Sequence, residues 1–183
     1  MNNIPEKYAS QYNVHDFLKD KSPEEIKNYC QAKSSPAALA MFNVGYDYNV
    51  AQIWRVANCL GFKEIYHIQA EGKRADKRGC VGAQNYTDCI HCYNEGQFFN
   101  AIKDKYIPIA VENNISFPSY NMYGVVPPHN AVFIFGAENQ GLSDSVLSKC
   151  EKIITIPSFG AIRSLNVGCT AAIVSAWYRG FYK

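Results

Sequence analysis

Apolar residues in this chain fall into two patterns: short unbroken runs, and longer stretches in which they recur every three or four positions. The runs Ala131–Phe135 and Lys152–Ile156 have the length and β-branched content of strands buried on both faces, as in a parallel sheet. Ala37–Val44, Lys63–Ile68 and Ile107–Glu112 predict further strands. Tyr86–Tyr93 predicts a further extended segment. The helical stretches lie between the runs. From Val50 to Leu60, Val50, Ile53, Trp54, Ala57 and Leu60 share one face. Asn49 followed by Gln52 predicts a capping box at the start of that helix, and Gly61 predicts a left-handed close. Phe98, Phe99, Ile102 and Tyr106 give an apolar side to Gln97–Tyr106. Leu142–Cys150 predicts a short helix capped by Ser143, and a last helix begins near Asn166 and runs through Ala171, Ile173, Val174 and Trp177 towards Tyr182. Strands alternating with helices predict an α/β fold, a mainly parallel sheet flanked by helices.

Composition narrows the class. A chain of 183 residues fits one domain with a real core. Its formal charge of +2 neither demands nor excludes a polyanionic partner. No apolar run is long enough to span a membrane, and the polar N-terminus does not read as a signal peptide. Seven cysteines, an odd number scattered among strand-like segments, suit a reduced, cytoplasmic protein better than a disulfide framework. Cys89-Ile-His-Cys92 invites a zinc or redox reading. A structural zinc needs four ligands and no second pair follows, while a redox pair needs the mouth of a helix. These cysteines therefore read as core or edge residues, and no metal is expected.

Candidate chemistry clusters where strands end. Ala131–Phe135 leads into Gly136-Ala-Glu-Asn-Gln-Gly141, and Lys152–Ile156 leads into Pro157, Gly160, Ser164 and Asn166. Polar groups at the carboxyl ends of parallel strands are where open α/β sheets bind ligands. Alternatives remain on the residues alone. Glu138 is a site carboxylate or a helix-terminal charge near Ser143. Ser164 and Asn166 serve the site, cap the last helix, or both. Arg55, off the apolar stripe, reads by itself as a surface arginine. Lys73, Arg74, Lys77 and Arg78 form the densest basic cluster, a solvated loop or a phosphate contact with equal weight. A dinucleotide-binding reading fails because no G-x-G-x-x-G follows the first strand.

Three segments in order resemble one family. Asn43–Gly61, with Asn49 and Arg55 six apart and Gly61 six beyond, resembles the first motif of the SpoU–TrmH family of RNA ribose 2'-O-methyltransferases. Phe135-Gly-Ala-Glu-Asn-Gln-Gly-Leu142 resembles the second, and Ile156-Pro157 followed by Ser164-Leu-Asn166 the third. Arg78-Gly-Cys-Val-Gly-Ala-Gln-Asn-Tyr86 fits the family's middle loop. Departures are Tyr48 for a frequent Pro, Ala51 and Val56 for Gly and Thr, Ser158 for Met, and Gly168-Cys169 for a Ser-Val pair. They leave the proposed chemical groups in place and bear on the subfamily and the RNA target.

The resemblance implies a SPOUT-type domain over residues 37–183, with a C-terminal trefoil knot whose loops hold S-adenosylmethionine, and a homodimer with the site near its interface. Trp177, Tyr178, Phe181 and Tyr182 give the last helix aromatic surface for that interface. Backbone groups of Gly136, Ile156 and Leu165, with Val111, are implied to hold the adenosine end. Glu138, Ser164 and Asn166 are implied at the reaction centre. Arg55 is implied to handle the ribose hydroxyl, with Asn49 positioning it or the substrate phosphate. A guanidinium stays protonated in proteins, so orientation and charge stabilisation suit Arg55 better than general-base work. Transfer RNA is the first expectation, ribosomal RNA the second. A catalytically silent RNA-binding dimer and a base-methylating relative are the rival readings.

Residues 1–36 predict a helical extension. Ser22-Pro-Glu-Glu25 carries a cap, an N1 proline and a capping-box glutamate, and Val14, Phe17 and Leu18 offer a small apolar face. Lys7, Lys19, Lys21, Lys27 and Lys33 suggest an RNA-contacting arm, but nearby acidic residues nearly cancel them, which favours a packing element. For the loop, neutralising Lys73, Arg74, Lys77 and Arg78 together is expected to weaken RNA binding and flatten its salt dependence while leaving donor binding unchanged. Unchanged RNA affinity in that variant would make the loop a solvated one.

Overall fold

The computed structural model describes residues 13–44, 47–70, 77–113 and 116–182. Seven parallel strands form its centre: β1 (Ala38–Phe42), β2 (Glu64–Ile68), β3 (Asp88–Cys92), β4 (Ile107–Val111), β5 (Tyr120–Asn121), β6 (Ala131–Phe135) and β7 (Lys152–Thr155). Their order across the sheet is β3-β2-β1-β6-β4-β7-β5. β1 and β6 pair in the middle, with Leu39 opposite Phe133 and Met41 opposite Phe135, and every residue of both is buried. The unbroken apolar runs thus occupy the positions covered on both faces.

Alternation within each strand divides the core in two. Leu39, Met41, Ile65, Ile109, Phe133 and Ile154 face α2 (Asp47–Cys59) and α5 (Val167–Phe181), meeting Ile53, Trp54, Val174 and Tyr178. Ala40, Tyr66, Ala110, Val132 and Ile134 face the other way, towards Phe98 and Ile102 of α3 (Glu95–Ile102) and Val146 and Leu147 of α4 (Asp144–Leu147). The architecture is a three-layer α/β/α sandwich, as the alternating pattern predicts. Tyr106 lies beyond the end of α3, yet its hydroxyl and that of Tyr66 both donate to Glu64 Oε1, at 2.9 and 2.6 Å. Burial, with the Glu64 carboxylate alongside, pushes both phenols far above their ordinary value.

The helix ends carry local signals. Gly61 (φ +69°) closes α2: its N–H donates to Asn58 C=O and Phe62 N–H donates to Ala57 C=O, a Schellman pair. α2 begins at Asp47, two residues before the expected cap, so Asn49 lies inside the first turn and its side chain serves elsewhere. α4 keeps the Ser143 cap but is only four residues long. Cys89 and Cys92 sit on the edge strand β3, Cys92 buried and Cys89 partly so. Among the described residues, no helix is long and apolar enough to cross a membrane.

Two outlying pieces are fastened to this core. α1 (Pro23–Ala32) carries the complete capping box, and Lys27 reaches Asp88 of β3 at 2.5 Å. At the other end, Tyr178 and Tyr182 of the α5 terminus donate their hydroxyls to His129 and Pro127 C=O, at 2.6 and 2.7 Å. The last helix is thereby tied to the long connection that precedes β6.

Gly61→Ala tests the closure of α2. A Cβ there meets nothing nearer than Lys33 O at 3.8 Å, so the cost is the left-handed backbone alone, roughly 1–2 kcal/mol. Urea unfolding should show that loss, and a smaller one would mean the turn relaxes without it.

Candidate active site

The carboxyl ends of β4, β6 and β7 are neighbours in the sheet, and the chain turns sharply after each. After β6 the turn doubles back within five residues: Gly141 N–H donates to Ala137 C=O at 2.8 Å. A Cβ at Gly136 would come within 2.4 Å of Gly141 C, so no side chain fits there. Behind the turn, Glu112 accepts the Leu142 N–H at 3.1 Å and the Asn113 N–H at 3.0 Å. Asn113 in turn pairs with the end of β7: its Nδ2 donates to Ile156 C=O at 2.8 Å and its Oδ1 accepts the Ile156 N–H at 3.0 Å. Sequence reading missed both residues. Glu112 closes the predicted strand Ile107–Glu112 and Asn113 follows it, and a carboxylate followed by an amide at a strand end is a usable signal.

A second set of bonds joins segments far apart in the chain. Asn166 caps α5, its Oδ1 accepting the Gly168 and Cys169 N–H groups at 2.9 and 3.3 Å. Its Nδ2 must therefore face outward, where it donates to Asn49 Oδ1 at 3.0 Å. That fixes the Asn49 amide, whose Nδ2 donates to Glu138 Oε1. Asn49 is buried at 5% exposure, so the amide has little water to turn to instead. Helix terminus, two amides and a carboxylate thus run in one polar sense, ending on an oxygen that accepts.

These groups border a cavity of about 340 Å³ lined by Val111, Glu112, Asn113, the 135–142 turn, Ile156 and the 163–167 segment. Of the residues expected from sequence, Gly136, Glu138, Ile156, Ser164, Leu165, Asn166 and Val111 all line it, and Asn49 joins through its two amide bonds. Arg55 does not. It is exposed on the outer side of α2 and lines a separate groove. Lys73 and Arg74 lie outside the described residues. Lys77 and Arg78 begin a 3-10 turn at 77–80, their side chains outside what is described.

The cavity suits a nucleoside-bearing sulfonium compound in three respects. The Ile156 N–H and C=O already read a planar donor–acceptor edge, that of Asn113, and an adenine edge has the same character; the two would compete for that strand end. Glu138 and Glu112 place carboxylates beside the turn for a cationic centre, and Arg163 stands in the lining for a carboxylate. Among the described residues no group of three or more His, Cys, Asp or Glu is set to hold a metal ion.

Comparison with known proteins agrees with this geometry. The model of the SpoU rRNA Methylase family matches residues 36–176. A tRNA (guanosine(18)-2'-O)-methyltransferase from Aquifex aeolicus is 25% identical over 157 residues, covering 85% of this chain and 74% of the relative. The 23S rRNA (guanosine-2'-O-)-methyltransferase RlmB of Haemophilus ducreyi is 22% identical over 179 residues, covering 93% of this chain but 65% of that longer protein. An AdoMet-bound rRNA methyltransferase from Sinorhizobium meliloti superimposes with a TM-score of 0.73 at 16% identity, over 86% of this chain and 60% of that one. The shared fold is the SPOUT methyltransferase sheet flanked by helices.

Asn49→Asp tests the polar chain. It sets a second carboxylate against Glu138, and like charges at that distance cannot both ionise without cost. One folded-state pKa is then raised, so the lost stability returns at low pH and grows as pH rises through that value. The stability gap to wild type, roughly 1–3 kcal/mol near neutral pH, should widen between about pH 4 and about pH 7. A gap that is absent, or constant with pH, would show that Asn49 does not face Glu138.

Proposed function

Because this chain belongs to the SpoU rRNA Methylase family, we propose that it transfers the methyl group of S-adenosylmethionine to a ribose 2'-hydroxyl of RNA. The observation that carries this reading is the Glu138–Asn49–Asn166 chain, which draws three motif segments onto one cavity at the ends of β4, β6 and β7. Transfer RNA is the favoured substrate, since the relative matched over more of its own length acts on tRNA; the RlmB match keeps ribosomal RNA as the second reading.

The donor supplies an electrophilic methyl on a positive sulfur and leaves as neutral S-adenosylhomocysteine. The chain's own groups do the rest. The 136–142 turn and Ile156 hold the nucleoside, and Leu165 covers it. Glu138, oriented by the Asn49 amide, offers negative charge to a cationic ligand. The 2'-oxygen bonds to the methyl carbon as the carbon–sulfur bond breaks, and the hydroxyl proton passes to solvent water. Arg55 orients that hydroxyl with its neighbouring phosphate and stabilises charge growing on oxygen. Ser164 lines the cavity, which supports a hydrogen bond from its hydroxyl to the sugar.

Arg55 and the donor cavity are apart within one chain, which supports a homodimer whose second copy completes the site. On α5, Tyr178 is consumed internally and Trp177 packs on Phe133, leaving Phe181 at 45% exposure. Phe159, Ile162 and Leu165, at 94%, 76% and 50%, make the larger exposed apolar surface on the segment entering α5. The interface is therefore assigned to that segment together with the helix. The threading of α5 through the connection before β6, making a trefoil knot, is supported by the Tyr178 and Tyr182 ties. The described residues 13–36 pack beside this domain, which supports reading the segment before β1 as an extension to it, and the setting is cytoplasmic, where thiols stay reduced.

Arg55→Ala should abolish methyl transfer, by roughly a hundredfold or more in single-turnover rate, with fold and donor affinity nearly intact because the side chain is exposed. Arg55→Lys should be almost as damaging, since lysine keeps charge without the planar fork. A near wild-type rate in Arg55→Ala would make it a surface arginine. For assembly, light scattering at micromolar concentration should give a dimer, and a monomer would break the composite site.

A further inference from the structure

A groove of about 860 Å³, larger than the donor cavity, lies away from it. It is built between the 13–33 segment, the C-terminal half of α2 and the 80–87 turns. The segment is not loosely attached. Leu18 and Ile26, at 4% and 1% exposure, pack on Tyr86, and Lys27 and Gln31 hold Asp88.

What the segment presents to the groove is unusual for a packing element. His15 stacks on Phe17, with ring centroids 5.6 Å apart and 15° between planes, and Phe17 meets the edge of Tyr29 at 5.6 Å. Phe17 is 61% exposed although Leu18 beside it is buried, so the backbone turns the larger ring outward. Around the rings stand cations. Lys33 lies 5.9 Å from the Tyr29 centroid, and Lys63, Arg179 and Arg55 complete the rim. Among the described residues Asp16 is the one carboxylate in the lining, and it is paired with Lys19 at 2.5 Å. The charge balance of the extension as a whole conceals this, because Glu24 and Glu25 belong to the other end of α1 and do not line the groove.

Exposed rings on a rigid base, rimmed by cations, match single-stranded nucleic acid: bases stack on the rings and phosphates meet the charges. A peptide helix would want an apolar strip without four cations, and a duplex has no unstacked base to offer. We propose that this groove binds the unpaired RNA strand next to the nucleotide being methylated, stacking a base on Phe17 and Tyr29 with its phosphates at Lys33, Lys63 and Arg179. It rests on the reading of the chain as an RNA methyltransferase, and it gives Arg55 a strand to act on.

The test uses the full chain, a labelled single-stranded ribo-oligonucleotide of about twelve residues, a duplex of equal length, and S-adenosylhomocysteine. Phe17→Ala with Tyr29→Ala should weaken single-strand binding about tenfold or more, with duplex and S-adenosylhomocysteine affinities unchanged. Phe17→Tyr should retain the affinity. Lys33→Gln, Lys63→Gln and Arg179→Gln together should lower the slope of log affinity against log salt by about 2. An unchanged thermal midpoint checks folding, which the exposure of Phe17 favours. If wild type binds single strands and the ring variant binds them equally well, the groove assignment is overturned while the methyltransferase reading stands. If the ring variant instead loses dimerisation with RNA affinity intact, the groove is an interface between copies. If wild type binds no RNA, both fall.

Discussion

The carboxamide of Asn166 can face only one way, and much of the site follows from that. Its oxygen is claimed by the first N–H groups of α5, which lack intrahelical partners. Its nitrogen therefore donates, Asn49 must accept and then donate in its turn, and Glu138 receives the last bond. A helix terminus thus sets the orientation of a carboxylate more than one helix away, with no charge buried unpaired. Reversing either amide would set donor against donor or carboxylate against carbonyl. The arrangement also couples three chain segments, so a shift of α5 reaches the turn after β6.

The sheet supplies the frame for this. β6 lies between β1 and β4, and β7 beside β4, so the three strand ends that carry the 136–142 turn, Glu112–Asn113 and Ile156 come out together. Glu112 and Asn113 then act as cross-ties, one to each neighbouring strand end. The result is a site made mainly of backbone groups held by side chains. That explains why Val111, Ile156 and Leu165, apolar by type, lie in a polar cavity.

The strands were legible because buried parallel strands read as unbroken apolar runs, and Ala131–Phe135 agrees to the residue. Caps were legible where the polar side chain serves its own helix, as at Ser22, Ser143 and Asn166. Asn49 shows the limit. Next to a helical stripe it looks like a cap, but its partners lie 89 and 117 residues away in sequence, and no local pattern encodes them. Sheet order was likewise beyond periodicity, which reports burial and not adjacency. The Phe17 platform was hidden for another reason: summing charge along the extension averages over faces, whereas the groove samples only one of them.

The proposed separation of a donor cavity from an acceptor groove bearing Arg55 turns on which atom of RNA is methylated. Ribose methylation is readable directly, because alkaline cleavage of RNA proceeds through the free 2'-oxygen and a 2'-O-methyl group protects the adjoining phosphodiester. RNA labelled from methyl-tritiated S-adenosylmethionine by this protein, then hydrolysed in alkali, should release its label in alkali-resistant dinucleotides. Label recovered in single nucleotides would place the methyl on a base and contradict the account.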